Sequence, residues 1–155
     1  DALNIIAGNR GLLLGHRAEV IVTPHMGEMA RLTGISIPEI KKNILKVCKD
    51  FAMEYNVIDV LKDARTCVSR GDDIYINTSG NNGMSTAGAG DVLTGVIAGF
   101  IATGLSPYDA AKLGVFVHGL AGDVAAEHMG KNGMIARDIV DAIPQVIKGA
   151  KYEEL

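Results

Sequence analysis

The chain has 155 residues, 48% of them hydrophobic and 21% charged, with a formal net charge of −3. That length and apolar share suit one well-buried core and a single domain over 1–155. An acidic balance without a Lys/Arg cluster argues against nucleic acid or an anionic membrane as partner.

The most apolar uncharged run, Val92 to Tyr108, contains three glycines, two threonines and a proline and falls short of a membrane span. Cys48 and Cys67 lack metal or redox spacing and read as small buried apolar residues of a reducing compartment. With no secretory signal in view, a cytoplasmic location is expected.

Residues 1–14 predict a short helix with a turn at Gly8-Asn9. Glu19 to Thr23 is β-branched and apolar, a buried parallel strand with Pro24 and His25 at its end. Met26 to Leu32 predicts a short helix that Gly34 stops. Ser36-Ile37-Pro38-Glu39 has capping-box form, and the helix it opens places Ile40, Ile44, Val47, Phe51 and Tyr55 on one stripe. Val57 to Leu61 predicts the next buried strand, in which Asp59 needs a partner. Thr66–Ser69 and Ile74–Asn77 predict a hairpin around Arg70 to Asp73. Three helices follow: Asp91 to Thr103, then Ser106 as cap through Met129 with Gly130 as stop, then Ala136 to Ile147. The middle one is apolar on most sides and is expected to be buried. Strand, helix, strand and hairpin together predict an α/β sheet covered by helices.

The most informative stretch is Asn81-Asn82-Gly83-Met84-Ser85-Thr86-Ala87-Gly88-Ala89-Gly90-Asp91, placed at a helix start. Small residues let backbone N–H groups turn toward one point, and the helix adds unpaired N–H groups and its dipole. Ala87, Gly88, Ala89 and Gly90 therefore form a candidate anion hole for a phosphoryl group. Asp91 reads two ways. One is an N-terminal helix cap; the other is a general base that deprotonates a hydroxyl attacking a nucleotide's terminal phosphate. Spacing supports both equally. The string is neither a Walker P-loop nor G-x-G-x-x-G after a strand.

It resembles the G-A-G-D anion-hole motif of ribokinase-like kinases. Residues 21–34 resemble the TPHPGEMARL stretch of the NAD(P)H-hydrate dehydratase family, and 61–66, the glycine loop and 113–123 match further family segments in the same order. The resemblance implies a ribokinase-like α/β/α sandwich with a mainly parallel central sheet. Because it begins at Asp1-Ala2-Leu3-Asn4, near the middle of the family's domain, the chain is expected to be that domain's C-terminal half. It implies dehydration of hydrated NADH and NADPH (NADHX and NADPHX) through hydroxyl phosphorylation and phosphate elimination. ADP, or ATP, and Mg²⁺ are the implied cofactors, Asp91 the base, and Gly90 a nucleotide contact. The implied partners are the hydrated dinucleotide and the adenine nucleotide, within a homo-oligomer. Two alternatives share the loop: a small-molecule hydroxyl kinase of the thiazole or pyridoxine type, and a non-catalytic nucleotide-binding module.

His25, beyond a strand's C-terminal end, reads as a packed loop residue or a ligand contact; the family's matching histidine contacts the hydrated nicotinamide. Glu28 reads as a capping and dipole partner. Lys62, Asp63, Ala64, Arg65 and Thr66 read as an exposed turn, or, by resemblance to the family's KGAxT loop, as the adenylate-binding segment. Asp63 replaces the family's glycine there and puts nucleotide affinity in question. Asn82 replaces a proline, and Ala87-Gly88-Ala89 keeps the small size of the family's Gly-Gly-Ser/Thr. His118 and Asp123 read as buried, hydrogen-bonded structural residues.

Overall fold

The structure, a computed structural model, describes residues 2–149. The chain divides into two compact units, Asp1–Ile76 and Asn77–Leu155.

In the first unit α1 (Ala2–Gly8) and a 3₁₀ turn precede β1 (Ile21–Val22). Then come α2 (Met26–Thr33), α3 (Ile37–Lys42), α4 (Ile44–Tyr55) and the strands β2 (Ile58–Leu61), β3 (Cys67–Arg70) and β4 (Asp73–Ile76). The sheet order is β1-β2-β3-β4; β1 is parallel to β2, and β3 and β4 are added antiparallel. The four described strands are thus mixed in direction, because β2–β3 and β3–β4 are joined by turns too short for a crossover. β1 is shorter than expected. Its ladder to β2 resumes past Pro24, where the Lys62 N–H donates to the Pro24 carbonyl at 2.8 Å; a proline has no N–H to continue the pairing itself.

Local signals set the helix ends. Gly34 closes α2 at φ 77°, the left-handed conformation that an L side chain resists. The Ser36/Glu39 capping box opens α3. The single helix expected from Ser36 to Tyr55 is two, because Asn43 leaves helical backbone (φ −136°, ψ 37°). Asparagine competes for backbone hydrogen bonds and tolerates such a break. The apolar stripe survives it: Ile40, Val47, Phe51 and Tyr55 are all buried against β2 and α2 residues such as Leu61 and Leu32. Each large side chain so buried contributes ~1.5–3 kcal/mol.

Asp59 is fully buried in β2, and neither carboxylate oxygen has a hydrogen-bond partner among the described residues. The expected partner is not there; the nearby Cys48 thiol is directed at the Asp59 main-chain oxygen instead, at 3.8 Å.

The second unit is helical: α5 (Ala89–Ala102), α6 (Pro107–Met129) and α7 (Ala136–Gly149). Ser106 caps α6 through the Asp109 N–H, and Gly130 ends it, as the sequence predicts. The interior of α6 is small: Ala121 and Ala125 face Ile139 and Ala142 of α7. No described helix is long and apolar enough to cross a membrane.

Candidate functional site

In the first unit, parallel pairing brings His25 and Lys62 side by side at the C-terminal ends of β1 and β2. This is the sheet edge where α/β folds hold ligands. His25 is the N-cap of α2, a role the sequence did not suggest. Its Nδ1 accepts the N–H groups of Gly27 (3.0 Å) and Glu28 (3.3 Å), while Glu28 Oε2 accepts the His25 N–H at 2.7 Å. Glu28 is therefore the capping partner expected of it. With Nδ1 an acceptor, the ring proton belongs on Nε2. That atom lies 3.5 Å from Glu28 Oε2, and the side chain is 55% exposed. The cap thus fixes the ring's orientation and leaves Nε2, beside the Glu28 carboxylate, as the ring's donor.

The turn Lys62–Thr66 follows directly. Asp63, Ala64 and Arg65 are exposed, and Asp63 Oδ1 lies 3.8 Å from Lys41 Nζ. Among the described residues Asn56 alone of the non-glycines has positive φ, so Asp63 meets no backbone demand for glycine. What Asp63 changes is charge, partly offset by Lys41.

In the second unit the glycine loop enters α5 through Gly88, the N-cap, at φ 87°. Asp91 is not the cap. It sits in the first turn of a helix that starts two residues earlier than expected, exposed, with no hydrogen bond or ion pair to its carboxylate among the described residues. The capping reading of Asp91 is thereby corrected. Of the four backbone amides in the candidate anion hole, three are open. The Ala89 N–H is directed to Thr86 O at 3.3 Å, whereas those of Ala87, Gly88 and Gly90 meet no acceptor in the described chain. Three free amides, the N-terminal end of a 14-residue helix and an unengaged carboxylate one residue on can receive an anion beside a proton acceptor.

The sequence reading missed what holds this loop. Asp123 Oδ2 accepts the Gly80 N–H at 2.8 Å, and its Oδ1 accepts from Asn81 Nδ2 at 2.9 Å. Asn81 Nδ2 also donates to Gly122 O, and its Oδ1 accepts the Gly83 N–H, both at 2.9 Å. Asp123 is hydrogen-bonded as expected but half-buried rather than buried, and His118 is buried. A carboxylate between glycines in an apolar helix was the available signal; its partners, over forty residues away, were not.

Among the described residues no group of three or more His, Cys, Asp or Glu side chains converges to hold a metal.

The family model described as NAD(P)H-hydrate dehydratase matches residues 1–145. The chain is 44% identical over 154 residues to a bifunctional NAD(P)H-hydrate repair enzyme of Moorella thermoacetica, covering 99% of this chain and 29% of that one. The ADP/ATP-dependent NAD(P)H-hydrate dehydratase of Bacillus subtilis, co-crystallised with ATP/Mg²⁺, superposes with a TM-score of 0.83 at 28% identity, over 91% of this chain and 53% of that one. A ribokinase-like superfamily protein of Enterococcus faecalis superposes with a TM-score of 0.79 at 30% identity, over 96% of this chain and 50% of that one. The fold is ribokinase-like, and the chain spans less than a third of the first protein and about half of the other two.

Proposed function

Because the chain belongs to the NAD(P)H-hydrate dehydratase family, we propose that it acts in nucleotide-dependent dehydration of hydrated NADH and NADPH, with ADP as the phosphoryl donor. The observation that carries this reading is Asp91, its carboxylate unengaged in the first turn of α5 beside the free amides of Ala87, Gly88 and Gly90.

In this scheme Asp91 accepts the proton of the substrate's ring hydroxyl as its oxygen attacks the terminal phosphorus of the nucleotide. The three amides take the charge that develops on the transferring phosphoryl oxygens. The nucleotide leaves one phosphate shorter. The ring C–O bond of the new phosphate ester then breaks: phosphate leaves with that electron pair, a proton is lost from the neighbouring ring carbon, and the double bond of the dihydronicotinamide is restored. Mg²⁺ on the phosphates supplies further neutralisation of charge when bound. Lys62 to Thr66 serve the adenylate portion, and the His25 Nε2–H serves as donor to the hydrated nicotinamide.

Asp91→Asn in the full-length protein tests it. Asparagine keeps the size of the side chain and cannot take the hydroxyl proton. NADH-hydrate turnover is expected to fall ~10²–10⁴-fold, the usual general-base contribution. ADP affinity and thermal stability stay near those of the parent. Turnover close to the parent's would remove Asp91 from the chemistry.

A further inference from the structure

We infer that Asp123 is a positioning residue for the phosphoryl-binding loop, acting through Gly80 and Asn81 on the amides that follow. The inference rests on the reading of Ala87–Gly90 as the phosphoryl site and adds a residue that touches neither substrate nor nucleotide.

The segment from Ser79 to Gly83 runs along one side of α6, fastened at successive helical turns. Ser79 Oγ donates to Phe116 O at 2.9 Å, and Asp123, two turns on, holds the Gly80 N–H and Asn81 Nδ2. Positions 116, 119 and 123 share one helix face, and glycine at 119 lets the backbone lie against it. A Cβ there would stand 2.1 Å from Ser79 Oγ and 2.8 Å from the Ser79 carbonyl carbon. Asn81 then passes the constraint onward by accepting the Gly83 N–H. At the far end of the loop Gly88 backs onto α7, where an added Cβ would lie 3.2 Å from Ala136 Cβ. The loop is thus tied by hydrogen bonds at Gly80–Asn81 and closely packed at Gly88.

Two hydrogen bonds to one carboxylate are charge-assisted and directional, so they fix the segment's position along α6 as well as its distance from it. An amide hole works by being aimed before charge arrives. Slack at Gly80–Asn81 is therefore read at the phosphate and not at the nucleoside.

The test compares Asp123→Asn, Asn81→Ala and the double variant with the parent, all in the full-length protein, by calorimetric titration of ADP and of adenosine. Asp123→Asn places an amide NH₂ or a less basic oxygen against two donors. Each single variant is expected to weaken ADP about tenfold, one lost charged hydrogen bond, and to leave adenosine unchanged. The double variant is expected to be no worse than the weaker single. Hydrogen exchange of residues 80–90 rises while that of 136–149 does not. The sign is diagnostic, because removing a negative charge near a phosphate would by itself tighten ADP. Equal shifts for ADP and adenosine, an unchanged ratio between them, or additive singles would overturn the positioning role. A parent that binds ADP no better than adenosine would overturn the phosphoryl-site reading itself, and the inference with it.

Discussion

Asp59 offers a test of the fold's electrostatics that needs no substrate. Its side chain is 0% exposed between Val22 of β1 and Ser69 of β3, and both carboxylate oxygens are orphaned among the described residues. Burial, which penalises the charged form, pushes its pKa well above the usual carboxylate range; the Cys48 thiol offsets only part of this, and Cys67 adds to the rise. The unfolded chain releases the proton near ~3.9. Between that value and the raised folded one, the native state binds a proton that the unfolded state has lost. Stability therefore falls as pH rises, by up to about 1.36 kcal/mol per pH unit. Asp59→Asn keeps the size and removes the titration. Its stability relative to the parent should change little near ~pH 4 and should then climb with that slope until the parent's folded-state pKa is passed. The sequence's two cysteines supply the assay, since Cys48 and Cys67 are both buried in the same unit. Thiol labelling, taken as a ratio to the denatured chain at each pH, reads the opening of that unit. The parent-to-variant ratio is expected to rise by up to about tenfold per pH unit. Parallel profiles for the parent and the Asp59→Asn variant would refute the account and mean that the carboxyl finds a compensating partner.

Two other substitutions probe the two units separately. Gly119→Ala inserts a methyl 2.1 Å from Ser79 Oγ; a loss of ~1–3 kcal/mol is expected from overpacking, and an unshifted melting temperature would show that Ser79 yields freely. Asp63→Gly removes a carboxylate, 30% exposed and 3.8 Å from Lys41 Nζ, and should tighten ADP by at most ~1 kcal/mol. Weaker ADP binding in the glycine variant would make Asp63 a ligand rather than a tolerated charge.

Local chemistry was legible in the sequence. The Ser36/Glu39 box, Gly34 and Gly130 as stops, and the Ser106-Pro107-Asp109 start all act within one helical turn, and each lies where the residues placed it. The hairpin around Arg70–Asp73 is local in the same sense. The glycine loop and its approach to a helix were also readable, since small residues declare a backbone that must come close to something.

Pairings across the chain were decided by tertiary structure. Whether Asp91 caps α5 turned on a two-residue shift in the helix start, which Gly88 takes by adopting positive φ. Thr86 O removes one of the four amides from the hole. His25 meets Lys62 because β1 and β2 pair in parallel, a register set by burial of both strands and not by either segment alone. Asp59 lost its expected partner and Asp123 gained two for the same reason: a side chain's hydrogen bonds depend on which distant backbone packs beside it. Spacing along the chain specifies a helix turn or a hairpin, where partners lie within four residues. It does not specify which carboxylate faces an N–H forty residues away; close packing of α6 against Ser79–Gly83 does.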